Sequence, residues 1–256
     1  MAVKKFFSEF GFEPKINNAV LMRLKSPNIF NKTFFGSSRV SGRLPYEVFK
    51  KYFYPEVNSR ILEYAFAFQN LPEISKGKEI KVMDFGCAES TLPIQMASLG
   101  YKVSGFDLQD YYFEHRNFKF YQGDFLKNNL KSGTFDIATG ISSIEHSGLG
   151  SYESPVFSDG DKKVMQEIKR LLKAGGKLIV TVPFGQRHKD EFLRNYDIEA
   201  LKFFVSDFKI VKERYFMRNK EMTEWFESTK QEVEKLPYDA IRGPDGVACL
   251  VCMKEK

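Results

Sequence analysis

Cysteine, histidine and tryptophan are scarce in this chain: its 256 residues include three Cys, three His and one Trp. Three cysteines at Cys87, Cys249 and Cys252 make no disulfide framework and predict a reducing compartment. Cys249 and Cys252 form a C-x-x-C, but a lone pair supplies half of a tetrahedral zinc site. The pair lies inside the apolar run Val247–Met253 and reads as core packing. Long hydrophobic runs are also missing. No stretch approaches the ~18–20 apolar residues that span a bilayer. Lys4 and Lys5 open the chain, yet Ser8, Glu9 and Glu13 break up any secretory core, so the expectation is a cytoplasmic protein with no membrane span. Internal repeats and low-complexity tracts are absent too. What is present is ordinary globular composition, 43% apolar and 28% charged, which excludes disorder, collagen and coiled coil. The length fits one large domain, or one domain with an added cap.

Positive charge is concentrated at one end. Residues 1–60 carry eleven Lys/Arg against four Asp/Glu, and twelve of the aromatics, among them Phe34, Phe35, Tyr52, Phe53 and Tyr54. Cations interleaved with rings can meet phosphates and stack on bases, so nucleic acid stays open as a partner. The plainer reading is a helical cap with buried aromatics and solvated Lys and Arg, because no tandem basic cluster appears. A seam at Leu71–Lys78 (LPEISKGK) separates this region, residues 1–78, from residues 79–256. A helix over Ser59–Phe68 leads into the seam.

From Ile80 onward, short apolar runs alternate with amphipathic helices. Ile80–Phe85 reads as a buried strand and Thr91–Leu99 as a helix with Pro93 in its first turn. Further strands are expected at Lys102–Phe106, Phe118–Gln122, Phe135–Gly140 and Lys177–Val182. A helix over Gly160–Leu172 places Val164, Ile168, Leu171 and Leu172 on one face. The run Lys173-Ala174-Gly175-Gly176 is its stop signal, with glycine in a left-handed conformation. Such alternation predicts crossover connections and a mostly parallel sheet covered on both faces. Phe208–Phe216 and Gly246–Lys254 read as a closing antiparallel pair, with a helix around Met222–Leu236 between them. That helix would put Met222, Trp225, Phe226 and Val233 on one side, toward the core.

Open parallel sheets bind ligands beyond the carboxyl ends of their strands, where the strand order reverses. The first turn here is Asp84-Phe85-Gly86-Cys87-Ala88-Glu89-Ser90-Thr91. A dinucleotide turn wants G-x-G-x-x-G, but this one keeps only Gly86 and adds carboxylates at Asp84 and Glu89. Those carboxylates would repel two phosphates, which disfavours NAD and FAD. A cofactor carrying an ammonium and a sulfonium suits the turn. Asp107 ends the second strand, 21 residues after Gly86, where a carboxylate can accept from both hydroxyls of a ribose. Asp124 follows the third strand (YQGDF), where it could accept from an adenine amino group while Phe125 or Leu108 packs on the ring. Each acid alone could be a loop residue or helix cap, but three at successive strand ends form a pattern.

VMDFGCAES, FDLQD, YQGDF, FDIATGISSIEH and LLKAGGKLIVTVP together resemble the class I S-adenosylmethionine-dependent methyltransferases, over roughly residues 79–255 and in the family's order. The resemblance implies a seven-stranded sheet of order 3-2-1-4-5-7-6 with strand 7 antiparallel, and S-adenosyl-L-methionine as cofactor. It places Asp84, Gly86 and Glu89 around the methionine part, Asp107 at the ribose, and Asp124, Phe125 and Leu108 at the adenine. Ala88 and Ser90 stand where the family often has glycine.

A hydroxyl acceptor must lose its proton, which calls for a base or a metal. Glu145 and His146 (GISSIEHSGLG) follow the fourth strand, where an acceptor would enter. The stretch is similar to the Ile-Glu-His of ubiquinone-type O-methyltransferases and of small-RNA 3′-end 2′-O-methyltransferases. The second likeness implies a divalent ion held by Glu145, His146 and the later His188, with Ser142 in place of a further Glu. Because that ligand set is incomplete, His146 as base is favoured; a purely structural Glu145-His146 pair is the alternative. His115, between the second and third strands, reads as surface or packing. The longer run, with VPFG and LRNYD, resembles methyltransferases of sugars and cell-surface glycans, which implies a small-molecule or glycan hydroxyl as acceptor. Arg194 and Tyr196 would line its pocket. The alternatives are an RNA ribose methyltransferase and an inactive cofactor-binding partner protein.

Overall fold

Short apolar and β-branched runs, punctuated by Gly, Asp and Pro, give the described residues many strands and few long helices. The computed structural model describes residues 20–24, 53–75, 77–88, 90–153, 155–240 and 243–255. Two compact units are present: residues 1–61 with 219–225, and residues 62–218 with 226–256.

In the smaller unit, β1 (Val20–Leu24) pairs antiparallel with β2 (Phe53–Val57), Val20 facing Val57. The excursion 219–225 belongs there because the Val57 amide donates to the Met222 carbonyl at 2.8 Å. The Trp225 indole N–H in turn donates to the Val57 carbonyl at 2.7 Å. The helical cap expected over residues 1–78, with Phe34, Phe35 and Tyr52, lies otherwise outside the described residues. A helix does run along α1 (Arg60–Asn70), and the seam after it is irregular. The division between units falls within α1, upstream of that seam.

The larger unit is built on one eight-stranded sheet. Its strands are β3 (Lys81–Phe85), β4 (Lys102–Asp107), β5 (Phe118–Gln122), β6 (Phe135–Ile141), β7 (Leu172–Pro183), β10 (Lys209–Arg218), β11 (Trp225–Ser228) and β12 (Gly246–Met253). Their order is β11-β10-β12-β7-β6-β3-β4-β5. Strands β5 to β7 through β4, β3 and β6 are mutually parallel, and β12 runs antiparallel to both β7 and β10. This is the expected 3-2-1-4-5-7-6 order with one strand, β11, added at the edge. A two-residue ribbon, β8 (His188–Lys189) with β9 (Arg194–Asn195), follows β7.

The helices are α2 (Leu92–Ser98), α3 (Gly160–Leu171), α4 (Ile198–Phe204) and α5 (Lys230–Glu234). Pro93 sits at the start of α2, where a missing amide hydrogen costs nothing. α3 buries Val164, Met165, Ile168 and Leu171 in the main core, each burial worth about 1.5–3 kcal/mol. Among the described residues, no helix is long and apolar enough to cross a membrane.

Two local expectations are corrected. Met222–Leu236 is not a helix. Met222 takes φ +60°, and the Asn219 side chain accepts the amides of Thr223 and Glu224, closing a turn. Trp225–Ser228 then runs as a strand, and helix restarts only at the Thr229/Glu232 capping box. The glycines after α3 are also not its cap. Leu172 leaves the helix in extended backbone, and Gly175, at φ +73°, belongs to the start of β7. Cys249 and Cys252 lie buried and reduced in β12, with burial pushing both thiols up, Cys252 to about 12. Residues three apart on a strand face opposite sides of the sheet, so the two sulfurs cannot share an ion.

Candidate active site

The parallel strands reverse order between β3 and β6, and the loops leaving their carboxyl ends lie side by side. Gly86 leaves β3 at φ +72°, with its amide on the Phe106 carbonyl at 2.8 Å. A methyl group there would stand 2.4 Å from Ser143 Cβ, so the turn tolerates only glycine. Ser143, just past β6, donates its hydroxyl to the Phe85 carbonyl at 2.9 Å and ties the two loops together.

Asp84 is buried, and Thr139 donates its hydroxyl to the Asp84 carboxylate. Asp107 is half-buried and accepts the amides of Ala88 (2.8 Å) and Gln109 (2.9 Å), one on each oxygen. It therefore holds the first turn in place, and each oxygen keeps a second lone pair for a ligand hydroxyl. Asp124 caps a 3₁₀ turn over Phe125–Lys127 through the Leu126 amide at 3.0 Å. The ring of Phe125 is buried edge-on against Phe85 and Phe106, while Leu108 is half-buried beside the strand ends. Glu89 lies outside the described residues. Tyr64 and Tyr111 close over this turn, their hydroxyls on the Ser90 hydroxyl (2.7 Å) and carbonyl (2.8 Å). Burial, with Asp84 and Asp107 nearby, pushes the Cys87 thiol far up, so it stays protonated and inert.

Glu145 and His146 lie on a 3₁₀ turn over Ile144–His146. The Nδ1 of His146 is 2.5 Å from the Phe192 carbonyl, which can only accept. Nδ1 therefore carries the hydrogen, and in the neutral ring Nε2 carries a lone pair. Glu145, 2% exposed, has Oε1 3.8 Å from that Nε2. Tyr152 and Phe192, both exposed, flank the imidazole at 5.2 and 4.8 Å and form an aromatic lip around it. Arg194 does not line an open pocket. It is buried, donating to the carbonyls of Glu145 (3.0 Å) and Ser147 (2.7 Å), with Asp161 3.5 Å from its Nε. Tyr196 is buried too, its hydroxyl on Asp161 at 2.7 Å. Both brace the loop from beneath.

The metal set does not assemble. His188 bonds Asp190 at 3.1 Å and stacks on Tyr238, and among the described residues no three His, Cys, Asp or Glu side chains gather where they could share an ion. One residue the sequence reading passed over is Glu63 on α1. It is fully buried and accepts the hydroxyls of Ser142 and, at 2.9 Å, Thr181. Its mark in the sequence is an acid on the same helical face as Phe66 and Ala67.

The profile of a family described as "Caenorhabditis protein of unknown function, DUF268" matches residues 98–238, more than half of the chain. The chain belongs to this family. No curated protein matches it. Among solved structures, this DUF268 member is similar to a SAM-dependent methyltransferase from Methanosarcina mazei, at 14% identity and TM-score 0.51, over 74% of this chain and 97% of that one. It is also similar to the 1,6-didemethyltoxoflavin-N1-methyltransferase of Burkholderia thailandensis, solved with S-adenosylhomocysteine, at 13% identity and TM-score 0.53, over 76% and 77% of the two chains. A third likeness is to the [4+2]-cyclase SpnF, at 15% identity and TM-score 0.54, over 77% and 81%. Identities this low establish the fold, which is the Rossmann-like α/β fold of methyltransferases. The cyclase among them is a reminder that chemistry resides in the site.

Proposed function

We propose that this DUF268 protein is an S-adenosylmethionine-dependent methyltransferase acting on a hydroxyl of a small molecule or glycan. One observation carries the reading: at the switch point, an imidazole whose Nδ1 is held by the Phe192 carbonyl stands on the loop that is pinned to the Gly86 turn. The residues there fit the cofactor. Asp107 would take its ribose hydroxyls, and the carboxylates about the first turn suit its positive groups. When bound, the cofactor supplies a methyl group activated on sulfonium. Asp124 and Leu108 would border its adenine; Phe125 supports from behind because its ring is sealed in the core.

The chain's own contribution is alignment and proton removal. The Phe192 carbonyl fixes the tautomer of His146, so Nε2 can accept the acceptor's hydroxyl proton. Glu145 would then stand against the imidazolium it creates. Tyr152 and Phe192 offer apolar faces on which a sugar or aromatic acceptor could pack.

The test is calorimetric titration with S-adenosylhomocysteine, NADH serving as control. Wild type is expected to bind the first alone. Asp107→Ala should weaken binding by tenfold or more, because hydrogen bonds to a charged group are worth about 1.5–3 kcal/mol. His146→Ala should bind S-adenosylhomocysteine as wild type does yet transfer no methyl group to any acceptor found by screening. Loss of cofactor binding in His146→Ala would mark a structural histidine. No binding by wild type would overturn the proposed cofactor, and with it methyl transfer.

A further inference from the structure

A second candidate site lies at the opposite end of the sheet, where the parallel strands begin. The β5–β6 connection contains a single 3₁₀ turn and no α-helix. It leaves a cleft of about 310 Å³ over the starts of β3, β4 and β5, walled by Leu130, Thr134 and Phe135. Side chains alternate along a strand, so Lys102, Ser104 and Phe106 share one face of β4. Phe106 stacks on Tyr121 at 5.0 Å, which puts Lys119 and Tyr121 on that same face of β5. Lys81 is the lateral neighbour of Lys102 in the β3–β4 register.

Four cations, Lys81, Lys102, Arg116 and Lys119, therefore line one cleft, and no carboxylate is among its lining residues. Like charges placed side by side on a sheet are unfavourable. The relief usually comes from interspersed acids, and here it is thin. Among the described residues, only Glu79 comes within ion-pair distance of any of the four, 3.9 Å from Lys81 Nζ. Asp136 is taken up by the Lys81 backbone amide and by Lys173, each within 2.9 Å. Two of the cations are held in place by uncharged groups. Lys102 Nζ donates to Asn117 Oδ1 at 2.8 Å and keeps two hydrogens, and Lys119 Nζ sits 4.6 Å over the Tyr121 ring.

We propose that this cleft binds the phosphate group of a small phosphate monoester, at a site separate from the Gly86–His146 region. Three ammonium groups and a guanidinium match a dianionic phosphate better than a single carboxylate. A cleft of about 310 Å³ fits a compact ligand, whereas a nucleic-acid backbone makes its contacts along a longer cationic track. The proposal does not depend on methyl transfer.

The test is calorimetry on the full chain at low ionic strength, where exposed charges are least screened. The probes are glucose 6-phosphate, glucose, inorganic phosphate and a short single-stranded RNA. Glucose 6-phosphate is expected to bind saturably with one site per chain, and glucose not at all. Lys102→Gln combined with Arg116→Gln should weaken that binding by about tenfold or more, with an unchanged melting transition in phosphate-free buffer. Inorganic phosphate binding as tightly as the ester would identify the free ion as the ligand; a tighter ester would show contacts to its organic part. Absence of saturable binding, or equal binding by the double variant, overturns the proposal. RNA binding that exceeds the ester and disappears in the double variant overturns it in favour of a polyanion surface.

Discussion

Glu63 shows how one side chain can stand behind a site without facing it. Its carboxylate takes the hydroxyls of Ser142 and Thr181 in a fully buried position. Ser142 itself adopts φ +41°, a left-handed backbone unusual for a residue with a side chain. The loop carrying Glu145 and His146 thus starts from a strained residue held by a glutamate of α1. Glu63→Ala removes the acceptor shared by the buried Thr181 and the half-buried Ser142 hydroxyls and should cost about 1–3 kcal/mol, read as a lower urea midpoint. Glu63→Gln keeps an acceptor oxygen and should retain most of that stability. An acid among Phe66 and Ala67 is legible in the helical pattern. Its partners are not, because Ser142 and Thr181 stand 79 and 118 residues further along the chain. The same reason hid the Phe192 carbonyl: which main-chain oxygen fixes a histidine tautomer is decided by tertiary packing. Residues at strand ends, such as Asp84, Gly86 and Asp107, were legible because topology alone fixes where a strand end goes.

At the scale of elements, local chemistry overrode periodicity in the 222–236 stretch. Apolar residues there fall at helical spacing, yet Thr229 and Glu232 form a capping box that begins a helix only at Lys230. The signature T-x-x-E is present in the sequence and marks the true start. Hydrogen bonds from the Ser228 and Thr229 hydroxyls and the Thr229 amide hold the Glu232 carboxyl at about 2, below its usual 4.5. A depressed carboxyl stabilises the fold above its ordinary range, and that contribution fades as pH falls from about 4.5 toward 2. Thr229→Ala should move the Glu232 titration back toward 4.5, followed by NMR, and α5 should then fray at a higher pH than in wild type. An unmoved titration would mean that the cap does not hold this carboxylate.

At the scale of the molecule, the closing strand of the sheet is the last of its eight in chain order. β12 lies between β7 and β10 and is buried over Gly246–Cys252. Deleting it would open two long strand edges at once, and unpaired edges invite aggregation. A chain ended at Asp245 should therefore be insoluble, whereas full-length Leu250→Ala should fold with about 2–5 kcal/mol less stability by denaturant titration. A soluble, cooperatively melting truncation would contradict this account. The strand order was legible through the order of five short motifs. The eighth strand, β11, was not, because Trp225–Ser228 is too short to separate from the helical pattern around it.

The same placement constrains how the protein is born. Translation delivers β3 to β11 while the slot between β7 and β10 stays empty, so the nascent chain carries an open seam until β12 is made. Every nascent copy is exposed along that seam until Gly246–Met253 has left the ribosome. Slow translation between β10 and β12 would lengthen the exposed interval, making the yield of native protein sensitive to the pace of synthesis across that stretch.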